Sequence, residues 1–366
     1  MKIGIVTFFK SYNYGVWLQA YATQEFFKIQ GYDAEIIDYE NNFEKKKANL
    51  LYREGNRNIG YATSLLKSIL FGKVRYYKKG FKPYIEKCYK LSEKKYKDAS
   101  EMTDVPYDVL VAGSDQVWNP KITNGMDRVF LLQFGQPCKR ISVASSMGSK
   151  ALGSIEKEQL LQALQSFNAI SVREEFACEY LEAELKKKIK VICDPTFLIT
   201  RKQWVENVAK KSKYYKIKSK YILTYFVSNE KRKSCNIELV KSYSDKFSLP
   251  VWAIQFTSYF SNGVDKKILG ASMFDFIALL LGAEIIITDS FHGVALSANL
   301  NKNFIAITNR ENPIRTQNLL SKIGLLNRMG MQSDEYLEID YSLPNDRIER
   351  MRKDAQKWIV ETLEND

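Results

Sequence analysis

Histidine is almost missing from this chain: His292 is the only one among 366 residues. That excludes metal sites built on two or more histidines and proteases of the HExxH type. It also leaves any Ser-His-Asp or Cys-His mechanism with a single available imidazole. Cysteine is sparse too. Cys88, Cys138, Cys178, Cys193 and Cys235 are odd in number and far apart, and no CxxC occurs. The pattern predicts reduced thiols, not a disulfide framework or a zinc site. No GxGxxG follows a strand-like run and no GxxxxGK[ST] exists, so dinucleotide and P-loop chemistry have no support. No apolar stretch nears the ~18 residues of a spanning helix; the run Phe276–Gly282 is far shorter. The opening MKIGIVTFF lacks a small-residue cleavage site and reads as a first strand, not a signal peptide. A soluble cytoplasmic protein is the expectation.

What is present suits a globular protein. Apolar residues are 45% and charged residues 27%, which argues against a disordered or fibrous chain. The length allows two domains. The net charge of +13 is unevenly placed: residues 41–100 hold 16 Lys and Arg against 5 Asp and Glu, and the remaining chain holds 39 against 37. The same segment interleaves seven tyrosines and three phenylalanines with its lysines, as in KVRYYKKGFKPYIEKCYK. Leu65, Leu66, Ile69, Leu70 and Val74 fall near helical spacing. Three readings compete: a solvated helical insertion with an ordinary core face, a surface that sits on anionic lipid, and a nucleic-acid surface. The last has no RNP-like, zinc or helix-turn-helix pattern behind it, so no nucleic-acid partner is expected.

Elsewhere strands and helices alternate. Ile3–Phe9, Glu35–Asp38, Asp108–Ala112, Ile141–Ala144, Ala169–Val172 and Lys190–Cys193 read as strands of a first half, with helices over Tyr14–Gln30, Ile155–Ser166 and Glu174–Leu185. Tyr221–Val227, Val251–Ile254, Glu284–Thr288 and Phe304–Ile307 read as strands of a second, with helices over about 230–247, Ser272–Leu281, His292–Leu300 and Arg315–Ile323. The expected class is α/β, with two doubly wound Rossmann-like domains facing a cleft. The expected divisions are 1–200 with the basic aromatic insertion at about 41–100, 201–345, and a C-terminal helix over 346–366 that packs back on the first domain.

In open parallel sheets ligands bind at the carboxyl ends of strands. The loops there carry Lys10–Asn13, Gly113–Asn119, Ser145–Gly148, Arg173–Glu174, Asp194–Pro195 and Asp289–Gly293. IIITDSFHGVALSANL is a strand, a turn and a helix start. Ser290 or Asp289 can cap that helix, and Gly293 removes a side chain from its first turn. The positive helix end is then an anion site, and His292 can donate to the same anion. A capping histidine packed under a loop is the plainer alternative. The position after a strand end, beside Asp, Ser and Gly, favours function.

Four segments together resemble the polysaccharide pyruvyl transferases, over most of the chain outside 41–100. GIVTFFKSYNYGVWLQAYATQ is similar to the family's first strand, its Asn-Tyr-Gly turn and the Leu-Gln of its first helix. VLVAGSDQVWNP (109–120) resembles its Gly-Ser-Asp-Gln-x-Trp-Asn segment. ISVREEFACEYL (170–181) with VICDPTFLI (191–199) resembles its Ser-x-Arg-Glu and Asp-Pro pair, and ITDSFHGVALS (287–297) its Asp-Ser-Phe-His-Gly turn. Each piece alone is weak, but their order and spacing together are specific.

The resemblance implies a ketal-forming transferase of GT-B-like fold. Such an enzyme takes the enolpyruvyl group of phosphoenolpyruvate and places it across two hydroxyls of a sugar in a surface polysaccharide or lipid-linked precursor. Phosphoenolpyruvate is a co-substrate, and neither a cofactor nor a metal is expected. The donor carries a carboxylate and a phosphate, so its pocket needs cations and N–H donors. Arg173 matches the family arginine thought to grip the donor. Ser290, His292 and Gly293 supply another anion site, and Arg315 is a third candidate. One group must give a proton and one must take one. With a single histidine, carboxylates share this work. Asp115 is the choice beside the sugar, with a turn-stabilising Asp as its alternative. Asp289 fits a cap or a partner for His292. Asn13, Tyr14, Gln116 and Trp118 are acceptor-side candidates, the two aromatics as stacking faces. Some members carry arginine two residues before the histidine, where this chain has Ser290. The runner-up readings are a GT-B nucleotide-sugar glycosyltransferase and a non-enzymatic membrane-associated scaffold.

Overall fold

The computed structural model describes residues 1–10, 13–39, 41, 81–148, 152–227, 236–255, 263–307 and 313–365. The helix expected around Leu65–Val74, with most of the basic segment, lies outside the described residues, as do positions 11 and 12 of the first loop. The chain divides into two compact units. One comprises Met1–Ala48, Ile85–Ile199 and Arg350–Asp366; the other comprises Asn49–Tyr84, of which only 81–84 are described, and Thr200–Glu349. Among the described residues, no helix is long and apolar enough to cross a membrane.

The first unit is built on β1 (Lys2–Val6), β2 (Asp33–Tyr39), β3 (Leu91–Tyr96), β4 (Val109–Ala112) and β5 (Lys139–Ser142). They form one parallel sheet in the order β3-β2-β1-β4-β5. A further parallel pair, β6 (Ile170–Val172) with β7 (Ile189–Val191), joins β5 through single bridges at Ile141–Ala169 and Ser145–Val172. All four residues of β4 are buried, as expected for a central strand covered on both faces. The Tyr14–Ile29 helix buries 13 of its 16 residues, so it is enclosed by the fold and not amphipathic.

The end of the basic segment belongs to this sheet. Residues 91–96 (LSEKKY) are the edge strand β3, with three consecutive exposed positions. The expected insertion is therefore shorter at its C-terminal side. Its charge hid the strand, because lysines on an edge discourage pairing with other chains without preventing pairing within the sheet.

The C-terminal helix spans Ser342–Glu364, and its part from Arg350 onward lies in the first unit. Arg352 Nε donates to the Phe197 carbonyl at 2.7 Å, and Gln356 Nε2 donates to that of Leu198 at 2.7 Å. Ala355 and Ile359 are fully buried.

The second unit repeats the order. β8 (Ile222–Tyr225), β9 (Val251–Gln255), β10 (Lys266–Leu269), β11 (Ile285–Thr288) and β12 (Phe304–Ala306) run parallel as β10-β9-β8-β11-β12. In each unit the strand order reverses beside the first strand, between β1 and β4 and between β8 and β11. The connections diverge there and leave a crevice at the carboxyl ends. Polar motifs follow β1, β4 and β11 at these reversals, and β6 and β7 beside them.

Two stability tests follow. Ile359→Ala should lower stability by about 2–5 kcal/mol, read from the urea midpoint of a probe in the first unit. Gly113 follows β4, and a Cβ there would lie 2.8 Å from Thr7 Cβ. Gly113→Ala should therefore cost about 1–3 kcal/mol, and an unchanged midpoint would show that the contact with Thr7 relaxes freely.

Candidate functional site

In the first unit, hydroxyls tie the strand ends together. Thr7, just after β1, donates from Oγ1 to the Ser114 carbonyl at 2.8 Å. Gln19, on the first helix, donates from Nε2 to Thr7 Oγ1 and to the carbonyls of Phe8 and Val16, each at 3.0 Å. Ser145 Oγ donates to the carbonyls of Ala112 and Gly113 at 3.0 and 2.9 Å. This frame fixes the turn that carries Asp115. Asp115 has φ of 76°, a left-handed conformation that non-glycine residues rarely hold without support. Its carboxylate accepts from the Gln116 N–H at 2.8 Å, and its carbonyl accepts from the Ser146 N–H at 2.9 Å. Asn119 Nδ2 donates to Gln116 Oε1 at 2.6 Å. Asn13 caps the first helix, its Oδ1 accepting from the Gly15 N–H at 2.8 Å.

Two acceptor-side expectations are corrected by packing. Trp118 is fully buried, its indole N–H donates to the Phe130 carbonyl at 3.3 Å, and its ring meets Phe167 edge-on. Tyr14 is fully buried as well. Neither ring has a free face for a sugar. They are core residues adjacent to the motifs, whereas Asn13, Asp115 and Gln116 stay at the strand ends.

Arg173 is ion-paired within the first unit. It lies within the first unit with its side chain 4% exposed, paired through Nη1 to Asp194 at 2.8 Å and through Nε to Glu174 at 3.4 Å. Burial alone would weaken its hold on the proton. The charges of Glu174, Asp194 and Asp115 overcome that and raise its pKa above the ordinary arginine value. Asp194 is held in turn by the Thr196 N–H and hydroxyl, and Glu174 accepts from Ser146 Oγ at 2.7 Å. Arg173 is thus the cation at the centre of an acidic cluster in the first unit. Its main partner comes from the Asp-Pro turn: β6 and β7 pair Val172 with Val191, which brings the two strand ends side by side.

The second unit gathers the anion-binding candidates. Ser290 is the N-cap of the Phe291–Asn299 helix, and its Oγ accepts from the Gly293 N–H at 3.3 Å. Thr288 Oγ1 donates to the Tyr225 carbonyl at 2.5 Å and accepts from the Ser290 N–H at 3.1 Å. A Cβ on Gly293 would lie 2.6 Å from that same oxygen, so glycine is required by close approach. Asp289 accepts from the Val227 N–H at 2.7 Å and latches the β11 end to the β8 end; Ser290, and not Asp289, is the cap. His292 occupies the first helical turn, and its ring lies 5.3 Å from that of Phe291, nearly perpendicular. The Arg315 guanidinium sits 5.5 Å from the centre of the Phe291 ring. Phe291 was not singled out in the sequence reading, yet it carries Arg315 to the helix end that holds Ser290, His292 and Gly293. The capped helix terminus and His292 lie at the reversal of the sheet, with the Arg315 guanidinium over the adjoining Phe291 ring.

A family model described as polysaccharide pyruvyl transferase matches residues 13–311. No curated protein sequence matches the chain. Among solved structures, it is similar to the UDP-GlcNAc 2-epimerase from Methanocaldococcus jannaschii, with a TM-score of 0.53 and 14% identity over 99% of each chain. It is also similar to the UDP-GlcNAc 2-epimerase from Neisseria meningitidis bound to UDP-GlcNAc, with a TM-score of 0.51 and 12% identity over 100% of each chain. At such identity these likenesses speak to the fold alone, which is the expected GT-B-like class with two Rossmann-like units. The family match takes in the Asn-Tyr-Gly turn, the Gly-Ser-Asp-Gln turn, the Ser-x-Arg-Glu and Asp-Pro pair and the Asp-Ser-Phe-His-Gly turn. With these motifs on the carboxyl ends of the two sheets, the chain belongs to the polysaccharide pyruvyl transferase family.

Proposed function

We propose that the protein transfers the enolpyruvyl group of phosphoenolpyruvate onto two hydroxyls of a sugar, forming a pyruvate ketal and releasing phosphate. The sugar belongs to a surface polysaccharide or its lipid-linked precursor. The observation that carries this reading is the Ser290-capped helix start with His292 and, through Phe291, Arg315. It suits a small ligand with two anionic groups, because it offers N–H donors, an imidazole and a guanidinium in one place.

One sugar hydroxyl gives its proton to a carboxylate base as its oxygen bonds to C2 of the enol, while C3 gains a proton from an acid. The second hydroxyl oxygen then replaces phosphate at C2, and its proton leaves with the phosphate or the base. Asp115 is the carboxylate assigned to the acceptor hydroxyl, with Asn13 and Gln116 beside its turn. His292 donates to the donor's anionic groups and is the group assigned to supply the proton at C3. Arg315 balances the phosphate charge. Arg173 is a positioning residue: with Glu174 and Asp194 it fixes the charge around Asp115.

Thermal shift tests the donor. Millimolar phosphoenolpyruvate should raise the midpoint of the wild type by mass action, whereas UDP, GDP and CMP should not. His292→Ala and Arg315→Ala should each lose that shift and keep their unliganded midpoint. A shift with a nucleotide but none with phosphoenolpyruvate would overturn the donor and favour the glycosyltransferase reading. Arg173→Ala should behave differently, losing about 3–5 kcal/mol of stability because it strands buried carboxylates.

Asp115→Asn separates binding from chemistry. It should keep the phosphoenolpyruvate shift and lose at least ~100-fold in phosphate release with a membrane glycolipid extract as acceptor. Full turnover in that variant would leave Asp115 with a turn-stabilising role only.

A further inference from the structure

The second unit has a second basic feature that the donor reading does not use. A cavity of about 470 Å³ opens at the carboxyl end of β10, and Lys211, Lys213, Tyr214, Lys267, Ser272 and Asp275 are among its lining residues. The turn that supplies Lys211 and Lys213 belongs to a strongly biased stretch. Positions 207–229 contain no Asp or Glu, and 210–220 contain six lysines.

Among the described residues, Asp275 is the only acid in that lining, and it is engaged. Its Oδ2 accepts from the Ser272 N–H and hydroxyl at 2.9 Å each, and its Oδ1 accepts from Ser212 Oγ at 2.5 Å. It completes a capping box and satisfies the start of the Met273–Gly282 helix. Among the described residues, no ion pair joins Lys211, Lys213 or Lys267 to a carboxylate. Aromatic rings lie beneath the first two instead: Lys211 Nζ is 5.5 Å from the centre of the Phe274 ring, and Lys213 Nζ is 5.2 Å from that of Tyr214. The neighbouring Lys266 lies 3.7 Å from the centre of the Trp252 ring, which itself stacks on Tyr221 at 4.0 Å. Rings orient ammonium groups without neutralising them. Lysines gathered at one opening repel each other unless an anion enters.

We propose that this cavity is a second oxyanion site, for a phosphate or diphosphate group. Several lysines acting as point charges suit a multiply charged oxyanion better than a lone carboxylate. The site is distinct from the Ser290 helix start. β10 and β11 are separated by β9 and β8, which is about 14 Å at ordinary strand spacing. Both lie on the carboxyl edge of one sheet. The proposal stands whether or not the donor is phosphoenolpyruvate.

Titration calorimetry with sodium pyrophosphate tests it. The comparison is wild type, the triple variant Lys211→Gln, Lys213→Gln and Lys267→Gln, and His292→Ala. The three lysines are exposed, so the triple variant should melt with the wild type; Lys267→Glu alone serves as a second variant if it does not. The expected result is at least tenfold weaker binding in the triple variant and unchanged binding in His292→Ala. Flotation with phosphatidylglycerol vesicles is the second arm. Lysine-dependent flotation without pyrophosphate binding assigns the phosphate to a lipid headgroup, whereas lysine-dependent pyrophosphate binding assigns it to a soluble or substrate-borne group. Equal behaviour of wild type and triple variant in both arms, or loss of pyrophosphate binding only in His292→Ala, overturns the proposal.

Discussion

A threonine hydroxyl at the point where each sheet reverses its strand order is the constraint on which the sites depend. Adjacent parallel strands lose their ladder where the chain leaves in opposite directions, and their carboxyl ends need another tie. Thr7 supplies it between β1 and β4 by donating to Ser114, and Thr288 supplies it between β11 and β8 by donating to Tyr225. In both units a glycine of the motif lies against that threonine, Gly113 on Thr7 and Gly293 on Thr288, at distances that leave no room for a Cβ. Gly113 brings the Asp115 turn close to the neighbouring strand end, and Gly293 lets the first turn of the His292 helix fold back on the end of its own strand β11.

The two strand-end clusters then differ in charge. In the first unit Arg173 is surrounded by Glu174, Asp194 and Asp115, so the cluster remains acidic after its internal pairing. Carboxylates of that kind suit sugar hydroxyls, which need acceptors. In the second unit the helix end, His292 and Arg315 make a basic cluster that suits an anion.

Much of this was legible in the sequence. The short β-branched runs around Val109–Ala112 and Ile285–Thr288 end in small polar residues, and they are the strands that carry the sites. A cap at Ser290 or Asp289 and the use of Gly293 could be read from one segment, and the structure chooses Ser290. What could not be read depends on contacts across the chain. Nothing local tells that Trp118 donates to Phe130 or that Tyr14 is enclosed; both look like stacking platforms until the core is seen. Arg173 looked available because its main partner, Asp194, arrives only through the register of β6 with β7. β3 was hidden because an edge strand rich in lysine lacks the apolar alternation that marks a buried one. Arg315 was placed at the site only as a weaker candidate, and Phe291, which links it to His292, carried no signal beyond its neighbours.

The central claim is that the donor's charge is met in the second unit, at the capped helix, and not by Arg173. Amide chemical-shift mapping with phosphoenolpyruvate on the isotope-labelled chain tests this most directly. The account predicts the largest perturbations at the Phe291, His292 and Gly293 amides, with the amides of Arg173 and Glu174 unmoved. Perturbations centred on Arg173 and Glu174, with the 291–293 amides silent, would contradict it.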